Sequence, residues 1–146
     1  MRPWVALIIR MSLALCGGVQ MRYPAVSGMY SSQVLDHFEH PRNAGDLADA
    51  DARVRVENPA CGDILELSVK TLAGKISEIR FRAKGCVPAM ACGSLLTLLV
   101  RNKTLAEAKA IQKEAIVNEI GQLPEASGHA AQLAIDALRA VLQKLA

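Results

Sequence analysis

The sequence predicts an α+β domain: a short N-terminal helix, a three-stranded antiparallel sheet, and C-terminal helices packed on one face of that sheet. Two observations predict it. Apolar and charged residues alternate with period two between Val54 and Phe81, and from Val87 onward the chain has helical patterning. Strands followed by helices place the helical layer on one side of the sheet.

Taken in order, residues 30–40, YSSQVLDHFEH, carry Val34, Leu35 and Phe38 on a short helix that Pro41 stops. PRNAGDLADADA is a loop, rich in Asn, Gly and Asp. Val54 and Val56, then Leu65, Leu67 and Val69, then Ile79 and Phe81 define three strands; Arg53, Arg55, Glu66, Lys70, Arg80 and Arg82 take the opposite face. TLAGK joins the last two strands, and Gly74 supplies the turn. PAMACGSLLTLLVRNK is an apolar helix with Pro88 in its first turn. Thr104 and Glu107 form a capping box, KEAIVNEI ends at Gly121, and Ser127 caps a final helix striped by Ala134, Leu138, Val141 and Leu145. The sequence contains no internal repeat.

A length of 146 residues with 51% hydrophobic and 21% charged content fits one globular domain with its own core. Residues 1–28 differ from the rest: apolar, free of acids and broken by Gly17-Gly18 and Pro24. They are expected to be an N-terminal extension upstream of a working start at Met29, with a cleaved organellar presequence as the alternative; residues 29–146 form the domain. Arg10 divides the apolar stretch into pieces too short to span a bilayer. The formal charge of +3 comes from Arg2, Arg10 and Arg22, all in the extension, so the body is neutral. A neutral body whose aromatic residues are Tyr30, Phe38 and Phe81 offers no track for a nucleic acid. Of four cysteines, Cys16 lies in the extension, and without a convincing export signal the other three predict a reducing, cytoplasmic setting.

Cys61 in PACGD and Cys86 in KGCVPAMACGS lie symmetrically about the Ala73-Gly74 turn. Residues opposed across an antiparallel pair have Cβ atoms about 4.5 to 5.5 Å apart. Two thiolates each about 2.3 Å from one metal fit that spacing. Gly62 and Gly85 clear bulk beside each cysteine, and Asp63 can add an oxygen donor. Cys86 precedes a helix start, whose dipole is expected to lower its thiol pKa. The competing reading is two ordinary buried cysteines. Nothing local ties His129 to Cys86, so on its own it reads as a packing or capping residue, and His37 with His40 reads as a solvated helix end. Cys92, flanked by Ala91, Leu95 and Leu96, is expected in the core.

YSSQVLDHFEHPRNAG, NPACGDILELSVK, ISEIRFRAKGC, TLAEAKAI and LPEASGHAAQLAIDAL together resemble the NifU/IscU-type iron–sulfur cluster assembly scaffold, in one register from Met29 to about Leu145. The resemblance implies a non-enzymatic domain that receives sulfur from a cysteine desulfurase, collects iron, holds a nascent [2Fe–2S] cluster and passes it to apoprotein acceptors. It implies Cys61, Asp63, Cys86 and His129 as ligands, with Fe2+ or Zn2+ able to occupy the same site. Two departures stand out. The family's third cysteine, next to the histidine, is Ala130 here, and its Leu-Pro-Pro-Val-Lys chaperone stretch reads Leu123-Pro124-Glu125-Ala126-Ser127, which removes the basis for expecting an Hsp70-type partner. The alternatives to a scaffold are an accessory zinc- or iron-binding sulfur carrier, or a metal-free interaction module.

Overall fold

Why the sheet forms, and which end of it stays open, follows from a short list of contacts in the computed structural model, which describes residues 30–121, 123 and 128–146. The expected extension 1–28 with Cys16, and the Ser127 cap with Pro124, Glu125 and Ala126, lie outside those residues. Helix α1 (Ser32–Glu39) starts where the Ser31 hydroxyl accepts the Val34 N–H. Three strands follow, β1 (Ala52–Glu57), β2 (Ile64–Leu72) and β3 (Lys75–Lys84), in an antiparallel sheet ordered β1-β2-β3. Helices α2 (Val87–Val100), α3 (Leu105–Lys109), α4 (Lys113–Ile120) and α5 (Gly128–Leu145) complete the fold. The expected class is the observed one.

The alternation decides which face is covered. Val54, Leu65, Leu67, Val69, Ile79 and Phe81 are buried beneath the helices. Each such side chain contributes roughly 1.5 to 3 kcal/mol of transfer free energy. Helix α5 lies over β1 and β2, and α2 lies over β3. Helix α2 comes in close because Gly93 faces Phe81 and Leu65; a Cβ there would sit 2.8 Å from Phe81 Cδ2. The opposite face is partly crossed by the loop after α1. Its Leu47 N–H donates to Ser68 Oγ, its Asp51 N–H to the Val69 carbonyl, and Asp46 pairs with Arg53 and Arg82. Ala44 bridges Phe81 in parallel, which covers part of the free edge of β3.

Two expectations need correction. The β2–β3 turn uses Ala73 and Gly74, both at positive φ, as a type I′ turn requires, but a bulge between Lys70 and Thr71 shifts the register by one beyond it. Ile64 therefore faces Lys84, not Ala83, and the symmetry that would set Cys61 opposite Cys86 is lost. His37 is not solvated either. It is buried, with Nδ1 2.7 Å from Ser94 Oγ on α2, while His40 is exposed. Burial, then the nearby Arg42 charge, lowers its pKa from the usual 6.5.

Candidate metal and cluster site

The four candidate donors arrive at one end of the sheet by four routes. Cys61 sits in a loop that closes on itself: Gly62 N–H donates to the Asn58 carbonyl, Asn58 N–H to the Asp63 carbonyl, and Ala60 N–H to Asn58 Oδ1. This holds Cys61 out in solvent just before β2. Asp63, the last residue before β2, is 5% exposed. Cys86 is the N-cap residue of α2, half-buried, and His129 lies in the first turn of α5.

Asp63 is the hub. Its Oδ1 accepts the Cys86 N–H at 3.3 Å and its Oδ2 accepts the Cys86 S–H at 3.0 Å. His129 Nε2 lies 3.6 Å from the same Oδ2. One ligating atom each from Cys61, Asp63 and His129 falls within 4.8 Å of the others, and Cys86 joins the group through Asp63. The structure thus brings all four residues together. The hairpin accounts for Asp63 and Cys86, the Asn58–Asp63 loop for Cys61, and α5 crossing β1 and β2 for His129.

The Cys86 thiol runs against expectation. Burial first, and then its hydrogen bond to the Asp63 carboxylate, push its pKa from 9.0 up to about 11; the backbone N–H of Ala89 in the first turn acts the other way but does not win. The thiol is protonated near neutral pH until something displaces the proton. A cation at this point does so, because thiolates and not thiols bind metal. Cys92 is fully buried, and burial pushes it up to about 12. Ala130, at the position of the family's third cysteine, is buried as well.

Sequence reasoning named the four candidate residues that the fold brings together but missed the hub. It assigned Asp63 an oxygen for a metal and gave no sign that the carboxylate bonds to Cys86. The available signal was Gly85, next to Cys86. The departure from a symmetric pair came from Ser77, the extra residue in β3, which no turn rule flags.

Fold and side chains define a class: a small α+β domain with Cys, Asp, Cys and His donors converging at the end of a three-stranded sheet. Residues 29–146 match the NifU-like N terminal domain, and the chain belongs to that family. It is 41% identical over 111 residues to the iron-sulfur cluster assembly scaffold protein IscU 1 of Archaeoglobus fulgidus, covering 76% of this chain and 72% of that one. It is 41% identical over 117 residues to the scaffold protein IscU of Escherichia coli K12, covering 77% of this chain and 91% of that one. The crystal structure of the N-terminal part of a NifU-like protein from Brucella abortus superposes with a TM-score of 0.67 over 82% of this chain and 96% of that one, at 20% identity, and so shows the shared fold.

Proposed function

We propose that this chain is a scaffold on which a [2Fe–2S] cluster is built as cargo and then handed to acceptor proteins. One observation carries the reading: Cys61, Asp63, Cys86 and His129, spread over 69 positions of sequence, converge around a single carboxylate. Family membership supports it. Two thiolates, a carboxylate and an imidazole make four donors, the number a [2Fe–2S] cluster takes from protein, and imidazole can replace thiolate there. The same set suits a tetrahedral Zn2+ or Fe2+ ion.

Exposed Cys61 is the thiol a cysteine desulfurase can reach. Its thiolate attacks the outer sulfur of the desulfurase persulfide; the donor S–S bond breaks, a Cys61 S–S bond forms, and the donor thiolate leaves. Each delivered sulfur needs two electrons from an external reductant to become sulfide. Iron entering beside Asp63 displaces the proton of Cys86 and closes the site. The protein turns over no substrate of its own in this role, which separates it from an enzyme. A reducing cytoplasm keeps the Cys61 and Cys86 thiols available. Among the described residues no helix is long and apolar enough to cross a membrane.

Ala130 favours a second reading, an accessory zinc or iron carrier that has lost cluster assembly along with its third thiol. Anaerobic reconstitution with ferrous iron, cysteine and a desulfurase, read by optical and Mössbauer spectroscopy, separates the two. A scaffold shows paired high-spin ferric sites coupled to a diamagnetic ground state. Mononuclear iron alone supports the carrier.

A further inference from the structure

Two glycines flank the cysteines, and they are not alike. Gly62, at φ +74°, would carry a Cβ into open space; nothing lies within 4 Å. Gly85, at φ +148°, would carry one to 2.2 Å from Asp63 Oδ1, 2.6 Å from its Cγ and 3.0 Å from its Cβ. Gly62 therefore meets a backbone requirement only, whereas the missing side chain of Gly85 is space that the Asp63 carboxylate occupies.

We infer that Gly85 is a positioning residue whose bare Cα lets the Asp63 carboxylate lie across the start of α2 and face Cys86 and His129 at once. The overlap includes Asp63 Cγ at 2.6 Å, which turning the carboxylate about its last bond does not move, while the 3.0 Å approach to Asp63 Cβ asks only for a small shift of the backbone. The whole side chain must swing to another rotamer. Both oxygens then leave their present partners, Oδ1 the Cys86 N–H and Oδ2 the Cys86 thiol and the His129 ring. The β2–β3 register ends at Ile64 and Lys84, so Asp63 and Gly85 are the next positions outward; the Asp63 carbonyl is held by the Asn58 N–H, which leaves its side chain as the part free to move. An alanine at 85 thus removes the oxygen donor from the site without touching a donor residue.

The inference rests on Asp63 serving as a donor, and the test separates the two ideas. Wild type, Gly85→Ala, Asp63→Ala and the double variant are compared in two ways: Zn2+ affinity by competition with a chromophoric chelator, and the Cys86 amide resonance in metal-free protein. Gly85→Ala and Asp63→Ala should each weaken zinc binding by about 10- to 100-fold. They should shift the Cys86 amide in the same direction, and the double variant should match Asp63→Ala to within about twofold, since the two changes remove one interaction. The strain of a non-glycine residue at this φ is common to both backgrounds and drops out of the comparison. Zinc affinity of Gly85→Ala at the wild-type level, or losses that multiply in the double variant, would overturn the inference. If Gly85→Ala does not fold, refolding of the double variant supports the overlap as the cause; a double variant that stays unfolded overturns it. A wild type that takes no zinc refutes Asp63 as a donor, while the metal-free amide shift still decides the role of Gly85.

Discussion

Asp63 gathers the Cys86 N–H, the Cys86 thiol and the His129 ring around two oxygens, while the three thiols of the described residues differ in where the fold places them. Cys61 is exposed, Cys86 is half-buried and tied to a carboxylate, and Cys92 is sealed in the core. Buried thiols far from a cation are inert. Cys92→Ser should therefore leave persulfide loading and cluster yield within about twofold of wild type, although a buried hydroxyl costs on the order of 1 to 3 kcal/mol of stability. Mass spectrometry of desulfurase-treated apoprotein checks this. A persulfide found mainly on Cys92 contradicts it. At this scale the sequence showed Cys61, Cys86 and Asp63 through their spacing and glycine neighbours. It showed His129 only through family resemblance, because no local pattern encodes a helix that returns across two strands.

The β2–β3 hairpin shows how an element sets a site from a distance. Its turn places Ala73 at φ +54°, a conformation that disfavours residues with a Cβ. Asn tolerates it better and is favoured in type I′ turns, so Ala73→Asn should stabilise the fold by about 0.5 to 1 kcal/mol, read from denaturant midpoints at unchanged m-value. Zinc affinity should not change, since the turn lies at the far end of the hairpin from Cys86. A weakened site would mean that the turn controls the register of the open end. The strands themselves were readable from period-two alternation, and the Thr104–Glu107 capping box from its spacing. The bulge was not. It lies beside a tertiary pairing at the start of β3, in which Ile76 exchanges backbone bonds with Asn102 and Lys103 of the loop after α2.

The whole molecule couples its folding to the protonation of groups it buries. Cys86 and Cys92 have folded-state pKa values raised from 9.0 to about 11 and about 12. The folded protein then holds more protons than the unfolded chain above pH 9, so this contribution is complete below 9 and fades as pH rises through 11 and 12. His37 works in reverse, because its lowered pKa makes the contribution complete above 6.5 and lost as pH falls through the folded value. Metal-free protein should thus be most stable between about pH 6.5 and 9. Replacing both Cys86 and Cys92 with Ala should flatten the alkaline limb, as measured by urea unfolding at pH 7, 9 and 10. An alkaline limb unchanged in that variant contradicts the assignment. Zinc binding adds a second proton linkage, since the ion takes the place of the Cys86 proton.

The proposed scaffold role turns on whether both thiols meet at one centre, which the geometry supports through Asp63 rather than through a direct pair. X-ray absorption at the zinc edge of the zinc-loaded protein counts those ligands. Two sulfurs at about 2.3 Å and two lighter donors at about 2.0 to 2.2 Å are expected, falling to one sulfur in Cys61→Ala and in Cys86→Ala. A single sulfur in wild type, or two that survive either substitution, would contradict a shared centre.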